Sequence, residues 1–201
     1  NLPIWATYEP GSTFKIITLA ASLEEKTINL FEDQFYDGGS ITVESARIKC
    51  WKHGGHGAEN YLQVVENSCN PGFVVMGQRL GKEKLMSYIK QFGFGEKTGI
   101  DLYGEEDGIL FSLNRMGPVE TATTAFGQGV SVTPIQQVMG VSAAINGGYK
   151  VLVIDSTSHE WQYLTAQANA QSTKNPYAAW GKLKPRHRIF MEKLLFSPIH
   201  I

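Results

Sequence analysis

A helix-rich fold with a minor strand component, α+β in class, is what this sequence predicts. Three observations carry it: apolar residues recur at helical spacing in several segments of the first two thirds, one short stretch alternates like a strand, and glycine and proline stand at the joins. The first helix follows a sharp turn at Pro10-Gly11. In "YEPGSTFKIITLAASLEE" the apolar positions Ile16, Leu19, Ala20 and Leu23 fall at helical spacing, so an amphipathic helix is expected from about residue 12 to 25, with Ser12 in its first turn. "SITVES" alternates like a short strand, and "CWKHGGHG" is too rich in glycine to be regular. A second helix is expected from about Ala58 to Glu66. Asn70-Pro71 reads as a cap followed by a first-turn proline, opening a helix through roughly Leu80. Leu85, Tyr88, Ile89 and Phe92 mark another, which Gly93 stops. The loop "FGFGEKTGIDLYGEEDG" is punctuated by five glycines. In "VTPIQQVMGVSAAINGG", Thr133 caps, Pro134 takes the first position and Gln136 completes a capping box, with Gly147-Gly148 ending the helix.

The composition changes near Lys150. "VLVIDS" is an apolar, β-rich run ending in an acid, and the residues after it are rich in Gln, Ala, Trp and basic side chains. Two regions, 1–150 and 151–201, are therefore expected.

With 42% hydrophobic and 18% charged residues and a formal net charge of −1, the chain reads as an ordinary globular protein, and nothing argues for a nucleic-acid partner. At 201 residues, burial of roughly 70% of the surface is feasible. No run of 18 or more apolar residues occurs, and the first residues lack a basic stretch followed by an apolar one, so neither a membrane span nor a signal peptide is expected. Cys50 and Cys69 are too few for a disulfide framework, although one bridge between them is allowed in an oxidising compartment.

Chemistry enters at Ser12 and Lys15. A serine hydroxyl is a poor nucleophile near neutral pH and needs a base and oxyanion donors. Three residues along a helix turn about 300° and rise one turn, which returns the Lys15 amine to the face of the Ser12 hydroxyl. If partly buried, that amine loses preference for its charged form and can take a proton. The helix N-terminus adds unpaired N–H groups where negative charge would develop. The plain alternative is a helix cap and a solvated lysine, and Ser87 to Lys90 shows the same spacing inside an ordinary helix. "NSCN" offers partners, since Ser68 and Asn70 in a tight turn can both face one cleft. Asn70 also reads as a cap, and Ser112-Leu113-Asn114 repeats the pattern by chance.

Five blocks in order decide between these readings: "YEPGSTFK", "IKCWKHGGHG", "VVENSCNPGFV", "FGFGEKTGIDLYGE" and "TTAFGQGVSVTPIQ". Together they closely resemble the transpeptidase domain of class B, monofunctional penicillin-binding proteins, over about residues 5–150. The resemblance implies a penicillin-binding/β-lactamase-like fold, with helices packed on an antiparallel sheet and Ser12 at the start of a central helix. Much of that sheet would come from outside residues 1–150, leaving exposed edges. It further implies that Ser12 is the nucleophile acylated by the D-Ala-D-Ala end of a peptidoglycan stem peptide or by a β-lactam. Lys15 would be the proton acceptor, and Ser68 and Asn70 the second motif, relaying protons and holding the substrate amide. The implied setting is the extracytoplasmic face of the bacterial cytoplasmic membrane, in division, elongation or sporulation, with other cell-wall synthesis proteins as further partners and no cofactor.

The family's third motif, Lys-Thr/Ser-Gly on a strand beside the cleft, is where the sequence departs. Lys97-Thr98-Gly99 matches in letters but lies in a block that is a structural turn in such proteins. The true triplet should follow the helix ending at Gly147-Gly148 and is missing, so the domain reads as truncated and little turnover is expected. The last 51 residues resemble the Walker B region of a phage-type, RecA-like ATPase, with Asp155 as a magnesium-holding acid. A plain buried strand is the simpler reading. No G-x-x-x-x-G-K-[ST] occurs, and ATP binding is not expected.

Cys50, His53, His56 and Cys69 form a conceivable zinc set, which the irregular spacing disfavours, and no metal is assigned. A Cys50–Cys69 disulfide would constrain the cleft. Trp51, Phe73 and Phe92 are expected in the core. His159, His187 and His200 lack metal spacing, and "KLKPRHR" reads as a solvated basic face. The competing functional reading is an inactive scaffold whose C-terminal part, the last 51 residues, derives from an ATP-binding protein.

Overall fold

The computed structural model describes residues 1–146. The strand at "VLVIDS", Asp155, the three later histidines, the basic run and the Gly147-Gly148 helix stop all lie outside the described residues.

A short helix α1 (Leu2–Trp5) and a 3-10 turn (Gly11–Phe14) lead into α2 (Lys15–Glu24). Strands β1 (Gln34–Asp37), β2 (Ser40–Val43), β3 (Ala46–Lys49) and β4 (Gly57–Asn60) follow, then α3 (Tyr61–Glu66), α4 (Asn70–Leu80) and α5 (Lys82–Gln91). After the glycine-rich loop come a 3-10 turn (Leu113–Arg115), α6 (Pro118–Thr124) and α7 (Pro134–Asn146). The strand component, among the described residues, is a pair of antiparallel ribbons: β1 with β4, Asp37 opposite Gly57, and β2 with β3, Ile41 opposite Ile48.

Helix α2 is the axis of the core. Every residue from Ile17 to Ser22 is buried, so the helix is enclosed rather than amphipathic in use, and its neighbours are α4, α5 and α7. Phe14, Ile17, Ala21, Leu85, Ile89 and Phe94 meet in one cluster, with Phe14 and Phe94 edge to face at 5.0 Å. A polar residue inside such a helix needs a partner, and the Thr18 hydroxyl donates to the Ala125 carbonyl at 2.9 Å.

Several elements depart from their expected bounds for physical reasons. Ser12 lies in the 3-10 turn, and the α-helix proper begins at Lys15. The turn is tight because Gly11 sits at φ +55° and its N–H is captured by the Gly127 carbonyl at 2.9 Å. The helix expected from Ala58 begins at Tyr61, because residues 57–60 pair with β1. Asn60 then caps α3 with a complete capping box, exchanging bonds with Gln63 at 2.9 Å each way. Cys69, not Asn70, occupies the cap position of α4, and Asn70 is its first helical residue. Thr133 and Gln136 do form the expected box, at 3.0 and 3.3 Å. The amide of Gln136 reaches further, donating to the carbonyls of Glu96 and Asp107 at 2.8 and 2.9 Å, and so stitches both ends of the glycine-rich loop.

Candidate active site

The sequence of Ser12 and Lys15 places them at the head of α2, and the turn joining α3 to α4 brings Ser68 against both. Lys15 is 4% exposed; its Nζ donates to the Ser68 hydroxyl at 2.6 Å and to the Ser68 carbonyl at 2.8 Å. The Ser68 hydroxyl donates in turn to Ser12 Oγ at 3.1 Å. Lys15, Ser68 and Ser12 are thus one continuous hydrogen-bonded chain, with Ser68 in the middle. The Phe73 ring lies 5.1 Å from Nζ, a cation–π distance. Asn70 stands in the same turn, two residues on, at the first position of α4.

Ser68 adopts φ +48°, a left-handed conformation unusual for a residue with a Cβ. It is held there by bonds from Ser68 N to the Val65 carbonyl at 3.0 Å and from Cys69 N to the Val64 carbonyl at 2.9 Å. The Asn67 side chain is tied to Glu59 of β4, an acid only 3% exposed.

The turn that carries Ser12 has its own frame, which the sequence reading missed. Tyr8 and Val132 bond each other reciprocally at 3.0 and 2.9 Å, Gly129 N donates to the Glu9 carboxylate at 2.8 Å, and Gln137 donates to the Thr13 carbonyl at 3.0 Å. Gly127 passes so close that a Cβ there would meet the Gly11 oxygen at 2.2 Å. The block "TTAFGQGVSVTPIQ" therefore braces Ser12 from behind; its glycines were the available signal.

The decoys separate cleanly. Ser87 and Lys90 are exposed on α5, where the Ser87 hydroxyl accepts from Gln91 at 3.0 Å. Ser112 and Asn114 are exposed as well. Lys97-Thr98-Gly99 is in no strand: the Thr98 amide and hydroxyl and the Gly99 amide all donate to the Glu105 carboxylate. Those bonds, Thr98 foremost, hold the Glu105 carboxyl below its usual range.

Cys50, His56 and Cys69 do converge, but His53 is exposed and Asp37 takes its place. Donor atoms of these four lie within 4.8 Å of one another, close enough for one cation to reach them all. Asp37 is 1% exposed and collects the Gly39 amide at 2.8 Å, the His56 amide at 3.0 Å, the His56 ring Nδ1 at 2.9 Å and the Cys69 thiol at 3.3 Å. Burial pushes its carboxyl upward, yet the summed hydrogen bonds of Cys50, Gly39, His56 and Cys69 outweigh that and draw it down to about 2. Burial, with Asp37 alongside, pushes both thiols up. Both cysteines are free, so the disulfide considered from the sequence is not formed. The cluster abuts the site directly, because Cys69 follows Ser68. Phe73 and Phe92 are core residues as expected; Trp51 is not, being 66% exposed.

Comparison with known proteins gives the family and the fold. A family model described as the penicillin binding protein transpeptidase domain matches residues 1–179. The chain is 70% identical over 161 residues to the stage V sporulation protein D of Bacillus subtilis, covering 80% of this chain and 25% of that one. It is 28% identical over 163 residues to the peptidoglycan D,D-transpeptidase MrdA of Acinetobacter baumannii, covering 76% and 24%. Among solved structures, Pseudomonas aeruginosa PBP2 in complex with WCK 5153 superposes with a TM-score of 0.68 at 26% identity, covering 74% of this chain and 36% of that one. Penicillin binding protein 3 of Mycobacterium tuberculosis, complexed with aztreonam, gives 0.68 at 28% identity, covering 74% and 33%. The chain belongs to the penicillin-binding protein transpeptidase domain family. It spans about a quarter of the length of these curated relatives.

Proposed function

We propose that this chain carries the acylating centre of a peptidoglycan D,D-transpeptidase. The observation that carries the reading is the chain from Lys15 through Ser68 to Ser12, at 2.6 and 3.1 Å. Ser12 Oγ attacks the carbonyl carbon of the D-Ala-D-Ala peptide bond while its proton passes by way of Ser68 to the Lys15 amine. The C–N bond then breaks, the proton returns to the departing amine, and D-alanine leaves an ester on Ser12. With a β-lactam the same C–N cleavage opens the ring and nothing departs. Asn70, one residue beyond Cys69 in the same turn, is assigned to the substrate amide.

Residues 1–150 hold this centre in the reading, with 151–201 a separate segment that limited proteolysis would separate near Lys150. No Lys-Thr/Ser-Gly other than Lys97-Thr98-Gly99 occurs in this sequence. The site of action is the extracytoplasmic face of the membrane. No helix among the described residues is long and apolar enough to cross one.

A fluorescent penicillin tests the reading. Covalent label that maps to Ser12 and vanishes in Ser12→Ala supports it; a folded chain that takes no label supports the scaffold instead.

A further inference from the structure

We infer that Trp51 is a positioning residue for the second motif: its indole N–H, by holding the Asn67 carbonyl, pins Ser68 in the left-handed conformation that aims its hydroxyl between Ser12 and Lys15. The inference rests on the acyl-transfer reading for its rate consequences but not for its structural ones.

The dihedrals φ and ψ of Ser68 together set the relation between two peptide units, Asn67–Ser68 and Ser68–Cys69. Each unit has its carbonyl gripped by a side chain from a distant segment. Trp51 Nε1 donates to the Asn67 oxygen at 2.7 Å, and Lys15 Nζ donates to the Ser68 oxygen at 2.8 Å. The turn's own bonds, Ser68 N to the Val65 carbonyl and Cys69 N to the Val64 carbonyl, close the end of α3 around a left-handed Ser68, and the Asn67 oxygen is not among their acceptors. Left to itself, a serine prefers negative φ. With φ +48° fixed, the Ser68 hydroxyl meets both Lys15 and Ser12.

Burial does not explain the residue. The ring is 66% exposed, yet it is oriented: it stands edge to face with His56 at 5.3 Å, and His56 is fixed by Asp37. Its loop is also fixed, because Gly55 lies so close to β1 that a Cβ would meet the Asp37 oxygen at 2.2 Å. A large apolar side chain held in water by one strong hydrogen bond to a catalytic turn is placed for that bond.

The test removes the N–H and leaves the shape. In the full chain, Trp51 is replaced by benzothienylalanine, in which sulfur takes the place of N–H, by 7-azatryptophan, which keeps N–H, and by Phe. Acylation by a fluorescent penicillin should fall about tenfold in the benzothienylalanine and Phe variants and stay unchanged with 7-azatryptophan, with the thermal midpoint unmoved in all three. Independently of activity, the Ser68 amide-to-α-proton coupling, which reads φ, should move away from its left-handed value in the two variants lacking N–H. If the unsubstituted chain takes no penicillin label, the functional reading fails and the coupling alone decides this inference. An unchanged coupling in the benzothienylalanine variant overturns it, as does a fall in thermal midpoint that accounts for the lost rate.

Discussion

Lys15 and Ser68, 53 positions apart in the chain, are joined by two hydrogen bonds from one amine, one to the hydroxyl and one to the carbonyl of the same residue. In the proposed reading the pair does two things at once: it sets up a proton path and it grips the backbone that carries the hydroxyl. Removing either partner should therefore damage chemistry more than stability. Lys15→Met, which fills the same space, should abolish penicillin labelling within the assay's range, a loss of at least ~100-fold. The stability cost, from two hydrogen bonds lost inside the fold, should be roughly 1–3 kcal/mol by urea unfolding. Retained labelling in Lys15→Met would remove lysine from the mechanism.

Gly127 separates a steric demand from a conformational one. It sits at φ +79°, and an added Cβ would lie 2.2 Å from the Gly11 oxygen and 2.8 Å from the Phe14 Cβ. Gly99 has φ +79° too, but open space around it. Gly127→Ala should cost roughly 2–5 kcal/mol and shift Ser12, whereas Gly99→Ala should cost only about 1 kcal/mol. Thermal unfolding of the two variants side by side checks the difference; equal costs would mean that the contact with Gly11 is not tight.

Acid should unfold the chain partly through Asp37. Its carboxyl titrates at about 2 in the fold against an ordinary 3.8, so the folded state holds the ionised form more tightly. The depressed value sets the sign: this stabilisation, roughly 2 kcal/mol, is complete above about pH 5 and is lost as the pH falls from about 4 through about 2. Asp37→Asn should flatten the stability profile in that window. A variant that keeps the full acid dependence would show that other carboxylates carry it.

Both thiols are buried beside Asp37, with their proton loss pushed to higher pH. Native protein at pH 8 should react with iodoacetamide far more slowly than unfolded protein, at least tenfold. Unfolded protein should titrate two thiols whether or not reductant was present, since both are free. A titre that rises on reduction would establish a disulfide in the native state.

The features legible in the sequence were local ones. The Thr133–Gln136 box, the stop at Gly93 and the strand at "SITVES" each depend on residues within a few positions of one another. The misplaced bounds share the opposite cause. Residues 57–60 are a strand only because β1 accepts them, and the tight turn at Ser12 exists only because Gly127 captures Gly11. Cys50, His56 and Cys69 were visible as reactive types, but Asp37, which organises them, arrives through the pairing of β1 with β4. Trp51, expected in the core as an aromatic, stands exposed because a hydrogen bond rather than burial fixes it.

The amino-acid order by itself determined the helix that follows Ser12 and opens at Lys15, the family, and the residue types the proposed chemistry needs, because these follow from periodicity, caps and motif order. Only the tertiary structure decided that Ser68 stands between them, in a conformation serine does not choose alone. The turn's own bonds to Val65 and Val64 form that conformation, long-range hydrogen bonds from Lys15 and Trp51 grip it, and no spacing along the chain encodes where those distant partners meet.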